Sequence, residues 1–134
     1  LGVPVMGLHT DAFPCFIAGV DERAPGVVNV DSESEAAGIA RLHWETVDPS
    51  GGLLLGVPLP ETSVLDASLV REANDRAEAS ATAAGIDGPD RTPHLLSRMA
   101  EQTGGRSLIA NIQLLLANAT VASRVAGCLA SQPS

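Results

Sequence analysis

Lysine and tyrosine are both missing from this 134-residue sequence. All eight basic residues are arginine, so the chain has no side-chain amine of its own for Schiff-base chemistry. Only three aromatic residues are present, Phe13, Phe16 and Trp44. Three rings do not make a platform for stacking successive bases, and the core must therefore be built from aliphatic side chains.

Positive charge is also scarce. The formal net charge is -8, which argues against phosphate backbones and anionic bilayers as partners. Two cysteines, Cys15 and Cys128, are too few and too far apart to indicate a disulfide framework, so both are predicted to be buried thiols. The longest apolar runs, such as Leu53 to Val57, are too short to span a bilayer. The expected protein is soluble and cytoplasmic.

The length fits one compact domain, residues 1–134. The chain opens at Leu1 without an initiator methionine, and the run from Gly2 to Leu8 already has the pattern of a buried strand. Because a natural domain seldom begins inside an element, we expect this chain to be a piece of a longer polypeptide.

Short apolar strands alternate with helices along the chain. Strands are predicted at Gly2 to Leu8, Val27 to Val30 and Leu53 to Val57, the last buried on both faces. Ser32 with Glu35 is typical of a capping box, which starts a first helix ending near Trp44. A second helix is predicted from near Asp66 to Ala84, stopped by Gly85. This alternation favours a layered α/β fold.

Two further helices complete the prediction. Thr92-Pro93 is predicted to begin the third as N-cap and first-turn proline, and Ser107 to cap a fourth that runs to about Ala130. The fourth helix is apolar around most of its circumference. Such a helix is normally buried, so more protein than this chain supplies must cover it.

Three groups of residues are candidates for chemistry, each with a structural alternative. His9, Asp11 and Cys15 could form a metal or thiol site, but capping a strand end is the preferred interpretation. The segment Thr103–Ser107 could hold a phosphate at a helix N-terminus, or its glycines could simply end one helix and begin the next, which we favour. Asn111 either bonds to neighbouring backbone or faces a ligand, and both interpretations stay open.

The ordered motifs resemble the pseudouridine-5′-phosphate glycosidase family, also called indigoidine synthase A-like. The strongest stretch comprises Thr92-Pro93, Leu95-Leu96, Glu101, Thr103-Gly104-Gly105, Ser107-Leu108 and Ala110-Asn111-Ile112. Further matching segments are Gly2 to Val5, Gly7, Thr10, Phe13-Pro14, Phe16, Asp31-Ser32, Trp44, Gly51 to Leu53 and Pro58 to Glu61. Four positions depart from the family pattern: Val57, Pro89, His94 and Ala117.

The resemblance implies a three-layer α/β/α fold with a mostly parallel or mixed sheet, of which this chain is the C-terminal portion. It implies reversible cleavage of the carbon–carbon glycosidic bond of pseudouridine 5′-phosphate to uracil and ribose 5-phosphate. It further implies a homotrimer and a divalent metal, typically manganese. The family's nucleophilic lysine, proton-donating glutamate, phosphate-binding lysine and metal-binding aspartate would all precede Leu1, so no catalytic or metal-binding residue is assigned here.

Asn111 alone corresponds to a family position expected at the substrate. The isolated chain is therefore expected to be inactive and to associate through uncovered apolar surface. Two other functions are compatible with the same sequence features: an indigoidine-pathway accessory enzyme of the same fold, or a non-catalytic binding or assembly module.

Overall fold

The computed structural model describes residues 3–21 and 27–131, and these form two compact units. The first unit comprises Leu1–Cys15, Val20–Pro58 and Leu115–Ser134, and the second Phe16–Gly19 and Leu59–Leu114. The strands are β1 (Val5–Leu8), β2 (Phe13–Pro14), β3 (Val20–Asp21), β4 (Val28–Val30) and β5 (Leu54–Gly56). The α-helices are α1 (Glu33–Thr46), α2 (Ala67–Ala83), α3 (Arg91–Gln102) and α4 (Arg106–Ser131). Two 3₁₀ turns, Glu61–Ser63 and Gly88–Asp90, precede α2 and α3.

A parallel sheet forms the centre of the first unit. Strand β1 lies between β4 and β5 and is parallel to both, with Met6 opposite Val28 and Leu55. Strands β2 and β3 form a separate antiparallel pair. Parallel strands separated by a helix are the hallmark of α/β proteins, and the predicted fold class is confirmed.

One side of this sheet contributes a small aliphatic core. Met6, Leu8 and Val30 are buried together with Ala36 of α1 and Val121 of α4. Gly7 lies at a point of close approach, since a Cβ there would be 2.4 Å from the Thr10 carbonyl oxygen. Any larger residue would displace the backbone that follows β1.

Strand β5 is less buried than its sequence predicted. Leu54 is 46% exposed, and Val28 on the other edge strand is 63% exposed. The prediction of burial on both faces is therefore wrong for this chain, because β4 and β5 are the edges of a three-stranded sheet among the residues described.

Helix α1 begins as predicted. The Ser32 hydroxyl accepts the Glu35 backbone N–H at 3.1 Å, and the Glu35 carboxylate accepts the Asp31 N–H at 2.7 Å. The reciprocal bond thus reaches one residue further upstream than in the standard capping box. The indole N–H of Trp44 donates to the Gly51 carbonyl at 2.8 Å and closes the turn after the helix.

Helices α2 and α3 pack together in the second unit. Three alanines four residues apart on α2, Ala73, Ala77 and Ala81, are almost fully buried. Small side chains at this spacing let a second helix approach closely. Asp66 caps α2 by accepting the backbone N–H groups of Ser68 and Leu69, and Gly85 follows the helix with a left-handed φ of 64°.

The start of α3 differs from the prediction. The helix begins at Arg91, so Thr92 lies inside its first turn and is not the N-cap. His94 is half-buried, and its Nε2 lies 3.2 Å from the Ser80 hydroxyl of α2. This pair joins the two helices.

Helix α4 is long and exposed. By length and composition alone it is the one helix within residues 3–21 and 27–131 that could cross a membrane, with a mean hydropathy of 1.4 over its most apolar window. Only 6% of that window is buried. The predicted burial is therefore not supplied by the described residues of this chain, and Leu108, Ile109, Leu115 and Leu116 are each more than half exposed.

Candidate functional site

The turn between α3 and α4 is built on two glycines. Gly104 and Gly105 adopt left-handed φ values of 59° and 82°, which side-chain-bearing residues avoid. The Gly105 N–H donates to the Ala100 carbonyl at 2.8 Å and so ends α3. The favoured interpretation of these glycines, the closure of one helix and entry into the next, agrees with this geometry.

Thr103 anchors the turn with its buried hydroxyl. This hydroxyl accepts the Ser107 backbone N–H at 3.1 Å and lies 2.8 Å from the Met99 carbonyl oxygen. The Ser107 hydroxyl is also in reach, at 3.0 Å. Thr103 therefore caps α4, and the prediction that Ser107 is the cap is wrong, because Ser107 already lies inside the helix.

A small cavity of about 50 Å³ lies beside this turn in the second unit. Its lining residues are Phe16, Leu96, Met99, Ser107, Leu108 and Asn111. Ser107 and Asn111 are one turn apart on α4, so their polar groups lie on the same side of the helix. Ring, hydroxyl and amide together line a small, mainly apolar cavity that offers two polar groups.

Asn111 is half-buried, not fully buried as the sequence suggested. The penalty for an unpartnered buried amide therefore does not apply to it. Its amide offers two donor hydrogens and one acceptor oxygen at the cavity wall. Of the two interpretations, the position beside a cavity favours a ligand.

Phe16 is a lining residue that the sequence did not single out. Its φ of 44° is left-handed, which is uncommon for a residue with a side chain, and its ring remains 42% exposed. The next residue, Ile17, is tied to the start of α2, since its carbonyl accepts the Leu65 N–H at 3.0 Å.

The charged groups near the turn do not form a second pocket wall. Arg106 is exposed, and its Nε donates back to the Thr103 carbonyl at 3.2 Å. That contact orients the guanidinium along the turn. Arg106 therefore adds no support to the interpretation of this segment as a phosphate site.

The residues suggested as a metal or thiol site are not brought together. Within residues 3–21 and 27–131, no group of three or more histidine, cysteine or acidic side chains lies close enough to hold a metal. His9 has a left-handed φ of 57° and its backbone N–H bonds to the Val30 carbonyl, as expected for a strand end. Cys15 and Cys128 are free thiols and are half-buried, not fully buried as predicted.

Three carboxyl groups of the described chain have lowered pKa values: those of Asp48 and Asp66, which are exposed, and that of Glu33, which is half-buried. For Glu33 the main cause is its own backbone N–H, followed by the Arg124 guanidinium, 3.1 Å away. Bonds from Ser50 lower the pKa of Asp48, and bonds from Ser68 and Leu69 lower that of Asp66. These shifts reflect helix and turn capping and do not mark acid–base catalysts.

The parallel sheet with its intervening helices places the chain among α/β proteins. A sequence profile described as indigoidine synthase A like protein matches residues 1–128. The chain belongs to this family, as its resemblance predicted.

Named relatives agree with this assignment. The pseudouridine-5′-phosphate glycosidase of Escherichia coli K12 is 40% identical over 127 residues, which cover 93% of this chain and 39% of that protein. The enzyme of the same name from Methylobacterium nodulans is 41% identical, over 96% of this chain and 37% of the relative. This chain thus spans about two fifths of the relatives it matches, within their C-terminal part.

Two solved structures share the fold with a TM-score of 0.80 each. A prealnumycin C-glycosynthase in complex with ribulose 5-phosphate is 32% identical and is aligned over 95% of this chain and 41% of that one. An indigoidine synthase A-like protein from Thermotoga maritima is 26% identical, over 92% of this chain and 40% of its own length.

Proposed function

We propose that this chain forms the C-terminal part of an enzyme that reversibly cleaves the carbon–carbon glycosidic bond of pseudouridine 5′-phosphate, giving uracil and ribose 5-phosphate. The observation that carries the proposal is about 40% identity to pseudouridine-5′-phosphate glycosidases along nearly the whole chain. The C-glycosynthase with bound ribulose 5-phosphate supports a phosphorylated sugar as one reactant class.

The role proposed for this chain is to bind and orient the substrate. Asn111 and Ser107 would face the polar edge of the ligand, and Phe16 and Met99 would exclude water from its flat face. An asparagine amide can both donate to a uracil carbonyl and accept from its ring N–H. Such contacts fix the orientation in which the bond to the sugar carbon is broken.

The reacting groups would come from the family's preceding part. This chain has no lysine, so an amine that opens the sugar must lie elsewhere. A divalent metal, manganese by resemblance, does not fit the described residues, which form no cluster of ligands. We assign it to the preceding part of the family fold. A cytoplasmic homotrimer completes the proposal.

A chimera tests the proposal. This chain would replace the matched segment of the Escherichia coli relative, and uracil release from pseudouridine 5′-phosphate would be followed by absorbance. Turnover by the chimera and none by the isolated chain is the expected result. A folded chimera that binds ribose 5-phosphate but releases no uracil would refute the assignment, as would robust turnover by the isolated chain.

Asn111 has its own prediction within the chimera. Replacing it by alanine removes the polar contact from the cavity wall, and kcat/KM is expected to fall by roughly tenfold or more, the loss for a hydrogen bond to substrate. The matched control is Gln113→Ala, an exposed position on the same helix. Equal activity of the two variants would remove Asn111 from the site.

The C-glycosynthase relative favours one second candidate, an enzyme that forms a carbon–glycosyl bond on another aromatic acceptor. The reverse reaction of the chimera separates the two. Incubation with ribose 5-phosphate and uracil is expected to give pseudouridine 5′-phosphate. Product with a larger aromatic acceptor, and none with uracil, would favour the second candidate.

A further inference from the structure

Helix α4 has an apolar face that nothing in the described chain covers. In the first unit its inward side packs Val121 and Val125 against the sheet core. The opposite side is exposed and, apart from Ser123, apolar over three turns, and we call its apolar residues the outer face. Its residues are Leu115, Leu116, Ala119, Ala122 and Ala126. In the second unit the preceding turns of the same helix also carry exposed apolar residues, Leu108, Ile109 and Ile112.

Polar residues separate the inward side from the outer face. Thr120 and Arg124 lie along one border and Asn118 along the other. Arg124 is held by an ion pair with Glu33 at 3.1 Å. Two apolar sides with polar borders are typical of a helix that lies between two protein layers.

The spacing of the outer face fits another helix. Leu115, Ala119, Ala122 and Ala126 follow each other in steps of four, three and four, the pattern of a helix–helix seam. The large side chains come first and the alanines follow, so a partner helix can approach most closely near Ala126. Leu115 and Leu116, 60% and 57% exposed, are the largest side chains of the face.

The sheet of the same unit is also incomplete. Among the residues described it has three strands, and both edge strands carry exposed apolar residues, Val28 and Leu54. Parallel sheets in α/β proteins are covered on both faces and usually have more strands. The first unit therefore needs a partner large enough to extend the sheet and to cover a helix.

We propose that the outer face docks a helix from the part of the family fold that precedes the segment matched here. That part makes up about three fifths of the relatives, since this chain matches 39% of the Escherichia coli protein. A second copy paired through α4 would cover the helix but leave the sheet edges open. A bilayer would have to accommodate Asn118 and Arg124, and a charged side chain there is costly. The inference rests on the proposed function in that the chain works as part of a larger fold.

Assembly in trans tests the inference. This chain would be produced together with the part of the Escherichia coli relative that precedes its matched segment, and the mass of the purified product measured by light scattering. A one-to-one complex is expected. The double substitution Leu115→Glu and Leu116→Glu should weaken it roughly tenfold or more, because the outer face would be buried at the centre of the contact.

The control adds one glutamate outside the outer face. Thr120→Glu lies on the polar border of α4, is exposed, and should leave the complex intact. Far-ultraviolet circular dichroism of both variants should match the parent chain, since all three positions are solvent-exposed in it. Equal weakening by the control and the double variant would overturn the inference.

A second measurement uses the intact Escherichia coli relative and does not need the separated parts to fold. A cysteine placed at the position aligned with Leu115 should react with a thiol reagent at least roughly tenfold more slowly in the native protein than in urea. Equal rates would overturn the inference. So would a homodimer of this chain that the preceding part does not displace, or its binding to phospholipid vesicles through Leu115 and Leu116.

The outcome is separable from that of the proposed function. A complex that depends on Leu115 and Leu116 but releases no uracil would support the docking surface and count against the reaction. Uracil release by the chimera would support the reaction. A cysteine at the position of Leu115 that reacts as fast in the native relative as in urea would count against the docking surface.

Discussion

Thr103 provides the sharpest test of how the turn beside Asn111 is held. The substitution Thr103→Val keeps the shape and β-branching of the side chain and removes only its hydroxyl. The residue is 3% exposed, so water cannot replace the lost partner of the Ser107 backbone N–H. The Met99 carbonyl keeps its bond from the Thr103 N–H, 3.0 Å away. The cost is therefore the buried Ser107 N–H without a partner and the lost contact to the Ser107 hydroxyl, together about 2 kcal/mol.

Urea unfolding followed by circular dichroism measures this cost. A loss of about 2 kcal/mol corresponds to a midpoint lower by about 1 M for a chain of this size. Thr120→Val is the matched control, because the Thr120 hydroxyl is exposed and donates to a helix carbonyl at 2.8 Å; its effect should stay within about 0.5 kcal/mol. Equal midpoints for the two variants would show that the Thr103 hydroxyl is not the cap.

Two further predictions concern the first unit. Gly7→Ala should destabilise the chain strongly, because the new Cβ would lie 2.4 Å from the Thr10 carbonyl oxygen. Gly38→Ala should stabilise α1 by up to about 1 kcal/mol, because the new Cβ would meet no atom within 4 Å outside the backbone of its own helix. Because the pKa of Glu33 is lowered in the folded protein, its ionised carboxylate adds stability at pH values above its ordinary pKa of 4.5. That stability is lost as the pH falls towards the folded-state pKa. Glu33→Gln should therefore lower the urea midpoint at neutral pH and much less near pH 3; a constant difference would show that the ionised Glu33 carboxylate adds no stability.

Local signals explain the parts of the fold that the sequence predicted well. The caps of α1 and α2 involve residues within four positions of each other, such as Ser32 with Glu35 and Asp66 with Leu69. Bonds over such short separations need no information from the rest of the chain. The glycine after α2 acts in the same local way.

The candidate site was harder to predict for the opposite reason. Ser107 is the hydroxyl nearest to the predicted start of α4, yet Thr103 is the cap, because two left-handed glycines turn the chain and bring its hydroxyl to the helix end. The sequence left two interpretations of Asn111 open, and only the family resemblance favoured a position at the substrate. Its neighbour Phe16 lies far away in the sequence and reaches the cavity only in the folded second unit.

By itself the sequence determined that α4 is a long helix with apolar residues on nearly every side, because helix formation and composition are local properties. It also determined the alternation of strands and helices that makes the fold α/β. Only the tertiary structure decided which side of α4 packs on the sheet and which side is left as the outer face. That choice depends on contacts between residues far apart in the chain, such as Val121 with Met6, and no local pattern records them.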